Sequence, residues 1–260
     1  MYRIIKDIKE YGEYAMYASK SQLKAEVANS KLNWIWWVLE PFCFMLVYSF
    51  VFGVVFEGKE QYHSLFIFLG LSMWQFFSKC VKGSVRIVKK KKAIIIKVYI
   101  PKFILVIQEI MVNGFKMCIC LIITVVMMLY YQVGISWNVV MIIPIFLVLA
   151  LFTFGVSCFM MHIGVYLEDL SNIVDIVLRM LMYFTGVFYS IAKRFHAPYG
   201  ALAVKWNPMA LLLDSARNVL LYHTPVDYSS LFFWGLISIV IAYAGINLVY
   251  KNENSYVKVV

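Results

Sequence analysis

The chain has 260 residues, 63% hydrophobic and 15% charged, with a formal net charge of +10 and a mean hydropathy of +0.78. Soluble domains average about 45–50% apolar and about 25% charged residues, so composition excludes an ordinary soluble fold and favours one polytopic bundle. The positive charge fits nucleic acid or an anionic membrane surface, and only the positions of the cations can choose.

Residues 1–33 place Ile4, Ile8, Tyr11, Ala15 and Ala18 at steps of four and three, with Lys6, Glu10, Glu13 and Lys20 on other faces. The pattern predicts an amphipathic helix along the inner membrane surface, or else an ordinary solvated helix. It does not read as a signal peptide, which needs a short apolar core and a small-residue cleavage site.

Six apolar stretches follow, near 34–56, 64–82, 103–131, 138–164, 173–192 and 228–250. Each approaches the roughly 20 residues a span requires. Helices are expected, because isolated strands leave backbone groups unpaired in lipid. The first opens with NWIWW, an aromatic interfacial anchor. The third is long enough to tilt or to begin in the interface. The fifth contains Asp175 and Arg179. The fold class expected is an all-α integral membrane protein: an N-terminal interface segment at 1–33, a single six-span domain at 34–250 and a tail at 251–260.

Between the second and third spans runs VRIVKKKKAIIIKVYIPK, residues 85–102, with seven cations and no acid. With the N-terminus inside, the inner segments hold 17 Lys and Arg and the outer segments five, while Lys116 and Arg179 lie within spans. This asymmetry predicts cytoplasmic N- and C-termini. It also places the run in the cytoplasm, where its lysines hold the loop inside and attract anionic lipid, about 1 kcal/mol each. Nucleic-acid binding is not expected. Pro101 precedes the third apolar run, where a proline at a helix start is tolerated.

The segment 193–227 is the longest non-spanning piece outside. ALAVKW and PMALLLDSARNVLLY read as short amphipathic helices dipping towards the membrane, with Asn207-Pro208 marking the turn between them.

Chemical motifs are sparse. GVVFEGKE at 53–60 spaces Gly53, Gly58 and Lys59 like a phosphate loop, but Glu60 stands where Ser or Thr must reach magnesium. Neither ATP hydrolysis nor a bound cofactor is therefore expected of this chain. His63, His162, His196 and His223 are scattered, and Cys43, Cys80, Cys118, Cys120 and Cys158 all lie in apolar stretches, so no metal site or disulfide framework is expected. A charge at a span centre costs about 2.5–3.5 kcal/mol on insertion scales, so charges there should face protein or water. Asp175 and Arg179 share a helix face, as do Glu109 and Lys116. These are ion pairs within the bundle or the lining of a polar substrate path. Tyr48, Tyr183, Phe184, Phe188 and Tyr189 either contact sugar along such a path or fill and anchor the bundle.

LKAEVANSKLNWIWWVLEPFCFMLVYSFVFGVVF at 23–56 resembles the opening of permease subunits of type-two ABC exporters, nearest the polysaccharide, O-antigen and teichoic-acid branch. That branch has a pattern like LKxRYxxSxLGxxWxxLxP followed by a VFG element. Leu23, Lys24, Ser30, Leu32, Trp36, Leu39 and Pro41 match it, then Val51, Phe52 and Gly53; Glu26, Val27 and Asn33 depart from it. KVYIPKFIL at 97–105, YLEDLSNIV at 166–174, FTGVFYS at 184–190 and WNPMALLLDSARNVLL at 206–221 are similar to later blocks of the same family, in the same order.

The resemblance implies a homodimer in a bacterial inner or plasma membrane, bound to two cytoplasmic ATP-binding subunits that hold the ATP and Mg. The implied cargo is a lipid-linked polysaccharide or teichoic-acid-like glycan. Within a coupling helix at 83–96, Ser84, Arg86, Ile87 and Lys89 are candidate partner contacts, joined by Glu168 and Asp169 at the inner turn. Asn207, Pro208 and Arg217 fall in the implied outer gate. The alternatives are a type-two permease for a drug, peptide or simple lipid, or a membrane glycan-modifying enzyme.

Overall fold

The structure is a computed structural model and describes residues 2–28, 33–55, 60–134, 136–194 and 199–259. Every regular element among them is helical. Helix α1 spans Tyr2–Ala28, and α2 spans Asn33–Ser49 and continues as a π turn over Phe50–Val55. Helix α3 spans His63–Val85. Two single turns follow, α4 at Ile87–Lys90 and α5 at Lys92–Ile95. Helix α6 covers Lys102–Tyr130 and α7 covers Ile142–Tyr166, after a 3-10 turn at Trp137–Met141. Then come α8 (Leu170–Phe184), α9 (Ile191–Arg194), α10 (Tyr199–Trp206) and α11 (Pro208–Arg217), which continues as a π turn over Asn218–Tyr222. The last helix, α12, covers Tyr228–Val259.

Five helical stretches are long and apolar enough to cross a membrane: Trp34–Gly53, His63–Val85, Lys102–Tyr130, Trp137–Tyr166 and Tyr228–Tyr256. They coincide with five of the six expected spans, so the chain is a multi-pass membrane protein. The stretch expected at 173–192 instead forms the 15-residue α8. At 1.5 Å per residue it covers about 22 Å, short of a hydrocarbon core of about 30 Å. It stops because Gly186 turns left-handed, at φ +71°, and a Cβ there would meet the Tyr189 carbonyl at 2.9 Å.

Helix α3 is the axis of the bundle. Leu65, Phe66, Ile67, Phe68 and Leu69 occupy every face over five successive positions, and each is at most 1% exposed. A helix that is apolar all round is one surrounded by others. The remaining spans keep exposed apolar faces, with Ile122, Val126 and Leu129 on α6, Ile143 and Leu147 on α7, and Phe232 and Val240 on α12. Those are the faces a bilayer would cover. Helices α7 and α12 approach closely at Gly155 and Gly245: a Cβ on Gly155 would lie 2.8 Å from the Ala242 nitrogen, and one on Gly245 2.9 Å from the Cys158 Cβ. Small residues at such crossings let membrane helices pack without a hydrophobic driving force. Some hydroxyls within spans are satisfied locally, as where Thr153 and Ser238 donate to the carbonyls four residues earlier.

A second apolar cluster lies beyond the end of α3. It joins Ala15 of α1, Ile87 and Val88 of α4, Ile95 of α5, Ile104 of α6 and Tyr256 of α12. Two sequence expectations change here. Residues 251–259 are not a separate tail but the last turns of α12, with Tyr256 fully buried and its hydroxyl 2.7 Å from His162 Nδ1. On α1, Ile8 is 44% exposed and Asp7 takes its place on the inner face. The face is selected by polar partners on α6 and α12 rather than by hydropathy alone.

Candidate functional site

Of the charges expected to pair along single helices, Asp175 and Lys116 pair between helices instead. Asp175 of α8 binds Lys82 of α3 at 2.7 Å, not Arg179. Lys116 of α6 binds Glu26 of α1 at 2.8 Å and lies over the Trp37 ring. Glu109 accepts from its neighbour Asn113 at 3.2 Å. The seven-residue step from Glu109 to Lys116 separates them by about 10 Å along the axis, so sharing a face does not bring them together. A third interhelical ion pair, Lys79 with Glu40 of α2 at 2.7 Å, completes a belt.

Part of this belt edges a cleft of ≈ 170 Å³ between α2, α3 and α8. Glu40, Lys79, Lys82 and Arg179 are its charged lining; Phe44, Tyr48, Trp74 and Met182 are among its apolar and aromatic walls. Lys79 is six residues from the end of α3, about 9 Å of rise, so the charged end of the cleft lies near one edge of the bundle. Arg179 is exposed, and no acidic group pairs with it among the described residues.

The expected aromatic residues largely converge above the cleft. Tyr48 packs on Phe188 with ring centroids 3.9 Å apart. Tyr183 reaches the same ring at 5.6 Å, and the Tyr189 hydroxyl donates to the Tyr183 carbonyl at 2.9 Å. Phe188, which bridges α2 and α8, sits in the turn after α8 and stacks on Phe52 as well. Phe184 stands apart, 70% exposed.

Past the turn, Asn207 caps α11 by accepting from the Met209 and Ala210 amides at 3.1 and 3.2 Å, and Pro208 takes the first helical position. Arg217 at the far end of α11 is 3% exposed. Its guanidinium donates to the carbonyls of Gly186, Val187 and Phe66 and lies 3.4 Å over the Phe66 ring. These carbonyls belong to the left-handed turn and to the first turn of α3, so one side chain ties three elements together. Burial pushes its pKa down to about 10, partly opposed by Asp214, Tyr222 and Glu60, so it stays charged at neutral pH.

At the opposite end, the expected coupling helix at 83–96 resolves into the end of α3 and two single turns. Ser84 is fully buried and Ile87 is 3% exposed, so neither side chain offers a surface to a partner. Arg86, Lys90 and Lys92 are exposed, as are Ile94, Ile96, Val98 and Tyr99. Lys89 and Glu168 do come together, at 3.2 Å, and Asp169 is exposed beside them at the start of α8. The return limb of this segment is tied down by Glu253 of α12, which accepts from Tyr99 at 3.0 Å and Arg3 of α1 at 3.1 Å. Gly58 and Lys59 of the phosphate-loop-like stretch, and His196, lie outside the described residues.

Glu40, Lys79 and Lys82 were not singled out in the sequence. Their partners are 39 to 93 residues distant, and no local spacing announces such contacts.

Residues 16–221 match the family model described as ABC-2 type transporter. Over 244 residues the chain is 26% identical to the O-antigen export system permease protein RfbA of Myxococcus xanthus, covering 94% of each chain. Two proteins of the same name from Klebsiella pneumoniae are 26% and 23% identical, over 86% and 77% of each chain.

Proposed function

The chain belongs to the ABC-2 type transporter family, and we propose that it is the transmembrane subunit of an ATP-driven exporter of a lipid-linked polysaccharide or teichoic-acid-like glycan. The observation that carries this reading is the near end-to-end match to an O-antigen export permease, over 94% of both chains. A cleft with a charged end and aromatic walls between α2 and α8 supports it. A glycan is too polar to cross hydrocarbon unaided, while aromatic faces and hydroxyls suit sugars.

In this reading two copies face each other across a path bordered by α2 and α8, in a bacterial inner membrane. Helix α8 and the turn after it make the fifth of six crossings, α10 and α11 form the outer gate, and both termini are cytoplasmic. A cytoplasmic ATP-binding subunit docks on the basic segment 86–99 and on Glu168 and Asp169, and supplies the ATP and Mg. ATP binding closes the partner subunits and shifts the permease between inward- and outward-open states, a population shift driven by differential binding.

Purification tests the assembly. An ATP-binding protein encoded beside this gene should co-purify with the chain, and ATP turnover should need both proteins. Turnover by this chain alone would sink the proposal. Drug sensitivity with intact surface glycan on gene loss would favour a permease for small molecules.

A further inference from the structure

Tyr99 touches two buried charges that do not touch each other. Lys102, at the start of α6, is 2% exposed, and Glu253 of α12 is 8% exposed. The Tyr99 ring centroid lies 5.4 Å from the Lys102 Nζ, while its hydroxyl donates to the Glu253 Oε1 at 3.0 Å. Among the described residues no ion pair joins Lys102 to Glu253. The Lys102 ammonium carries three donors, and one of them meets the Ile100 carbonyl at 3.1 Å. The other carboxylate oxygen of Glu253, Oε2, is buried without a hydrogen-bond partner among the described residues. Both charges are incompletely satisfied, which is costly where water is excluded. Each would complete the other if Tyr99 were out of the way.

The surroundings let Tyr99 leave while the rest stays. Arg3 of α1 donates to Glu253 at 3.1 Å and lies 4.4 Å over the Tyr250 ring, and Tyr250 donates to Asp7 of α1. These contacts hold α1 against α12 without help from Tyr99. The limb that carries Tyr99 is anchored at its two ends by Ile95 and Ile100, which are 7% and 2% exposed. Residues 96–99 between these anchors are all exposed. Besides its place over Lys102, Tyr99 is held by hydrogen bonds to Glu253 and to Arg3, the latter at 3.2 Å.

We infer that Tyr99 is a removable spacer and that Glu253 is a carboxylate with two alternative partners: Tyr99 while the limb lies down, and Lys102 once it lifts. The new ion pair offsets the bonds that Tyr99 gives up, so the two arrangements form a two-state element that a docking protein can bias. Lifting the limb therefore shifts Glu253 on α12 and, through Arg3, the start of α1. The device lies in the basic segment assigned above to the ATP-binding subunit, but it is built from contacts of this chain alone.

The test measures the interaction between Lys102 and Glu253 in two backgrounds, with the full chain in nanodiscs. Lys102→Met, Glu253→Gln and the double variant are melted with Tyr99 present and again in Tyr99→Ala. With Tyr99 present the two shifts in melting temperature should nearly add, as for groups that are not in contact. In Tyr99→Ala the double variant should shift by clearly less than the sum, because either substitution alone already breaks the pair. Equal coupling in both backgrounds, or additive shifts in both, would overturn the proposal. Should Lys102→Met not fold, a zero-length carbodiimide cross-link decides instead. A Lys102–Glu253 link that forms in Tyr99→Ala and not in the wild type supports the exchange, and equal yields in the two contradict it. Neither measurement needs ATP, glycan or a partner protein, so the outcome is separate from that of the export reading.

Discussion

Arg217 donates to the carbonyl of Val187 at 2.7 Å, 30 residues away in the chain, and to that of Gly186 at 2.8 Å. The left-handed turn that ends α8 frees these carbonyls, and a buried guanidinium on α11 satisfies them. Arg217→Met would leave three carbonyls without that donor. The expected cost is about 2–4 kcal/mol, given that an unsatisfied buried group costs about 1–3 kcal/mol. Thermal unfolding in detergent should show a clear fall in melting temperature. Arg217→Lys should be intermediate, because an ammonium cannot fork across the same carbonyls. An unchanged melting temperature in Arg217→Met would refute the role.

The Glu26–Lys116 pair, with side chains 33% and 18% exposed, fastens the end of α1 to α6. Lys116→Glu should loosen α1 and expose it to protease. The double exchange Glu26→Lys with Lys116→Glu should restore protection. Protection lost equally in the single and double variants would mean that the pair does not hold α1.

Asp227 caps α12, accepting from the Ser230 and Ser229 hydroxyls and the Ser230 amide. Those bonds, with a smaller contribution from Lys205, hold its carboxyl well below the usual carboxylate range. A depressed folded-state pKa means the stabilisation is complete above the unfolded value, about 3.9, and is lost as pH falls through the folded one. Melting temperature should therefore be insensitive to this group above about pH 5 and decline below about pH 4. Asp227→Asn should remove that part of the acid-side decline. An identical acid profile in the variant would contradict it.

Replacing Lys89, Lys90, Lys91 and Lys92 together by Gln separates partner docking from orientation. The Lys89–Glu168 pair has side chains 34% and 88% exposed, so its loss alone should cost at most about 1 kcal/mol. Loss of ATPase co-purification with normal insertion supports docking. Retained association and transport with altered topology would leave the lysines only their orienting role.

Much of the architecture was legible from residue patterns, because hydrocarbon thickness imposes the length of apolar runs. The spans beginning near Trp34, His63, Lys102, Trp137 and Tyr228 follow from that alone. The break after Phe184 was not legible. FTGVFYS is apolar enough to continue a span, and only the turn at Gly186 and the distant Arg217 end it. The aromatic partners Tyr48, Tyr183 and Tyr189 were identifiable as residue types on two spans. Ion pairing was misread for a simple reason: spacing along one helix reports a shared face, whereas Asp175 and Lys116 chose closer partners on neighbouring helices. Ser84 and Ile87 were misread likewise, since the charge of a basic run hides which of its residues turn inward.

The central claim is export of a lipid-linked glycan, and surface polysaccharide after deletion of this gene measures it most directly. The account predicts that the polymer disappears from the cell surface, accumulates on its lipid carrier inside, and returns with the wild-type gene but not with Arg217→Met. Undiminished surface polysaccharide in the deletion strain, with no intracellular accumulation, would contradict it.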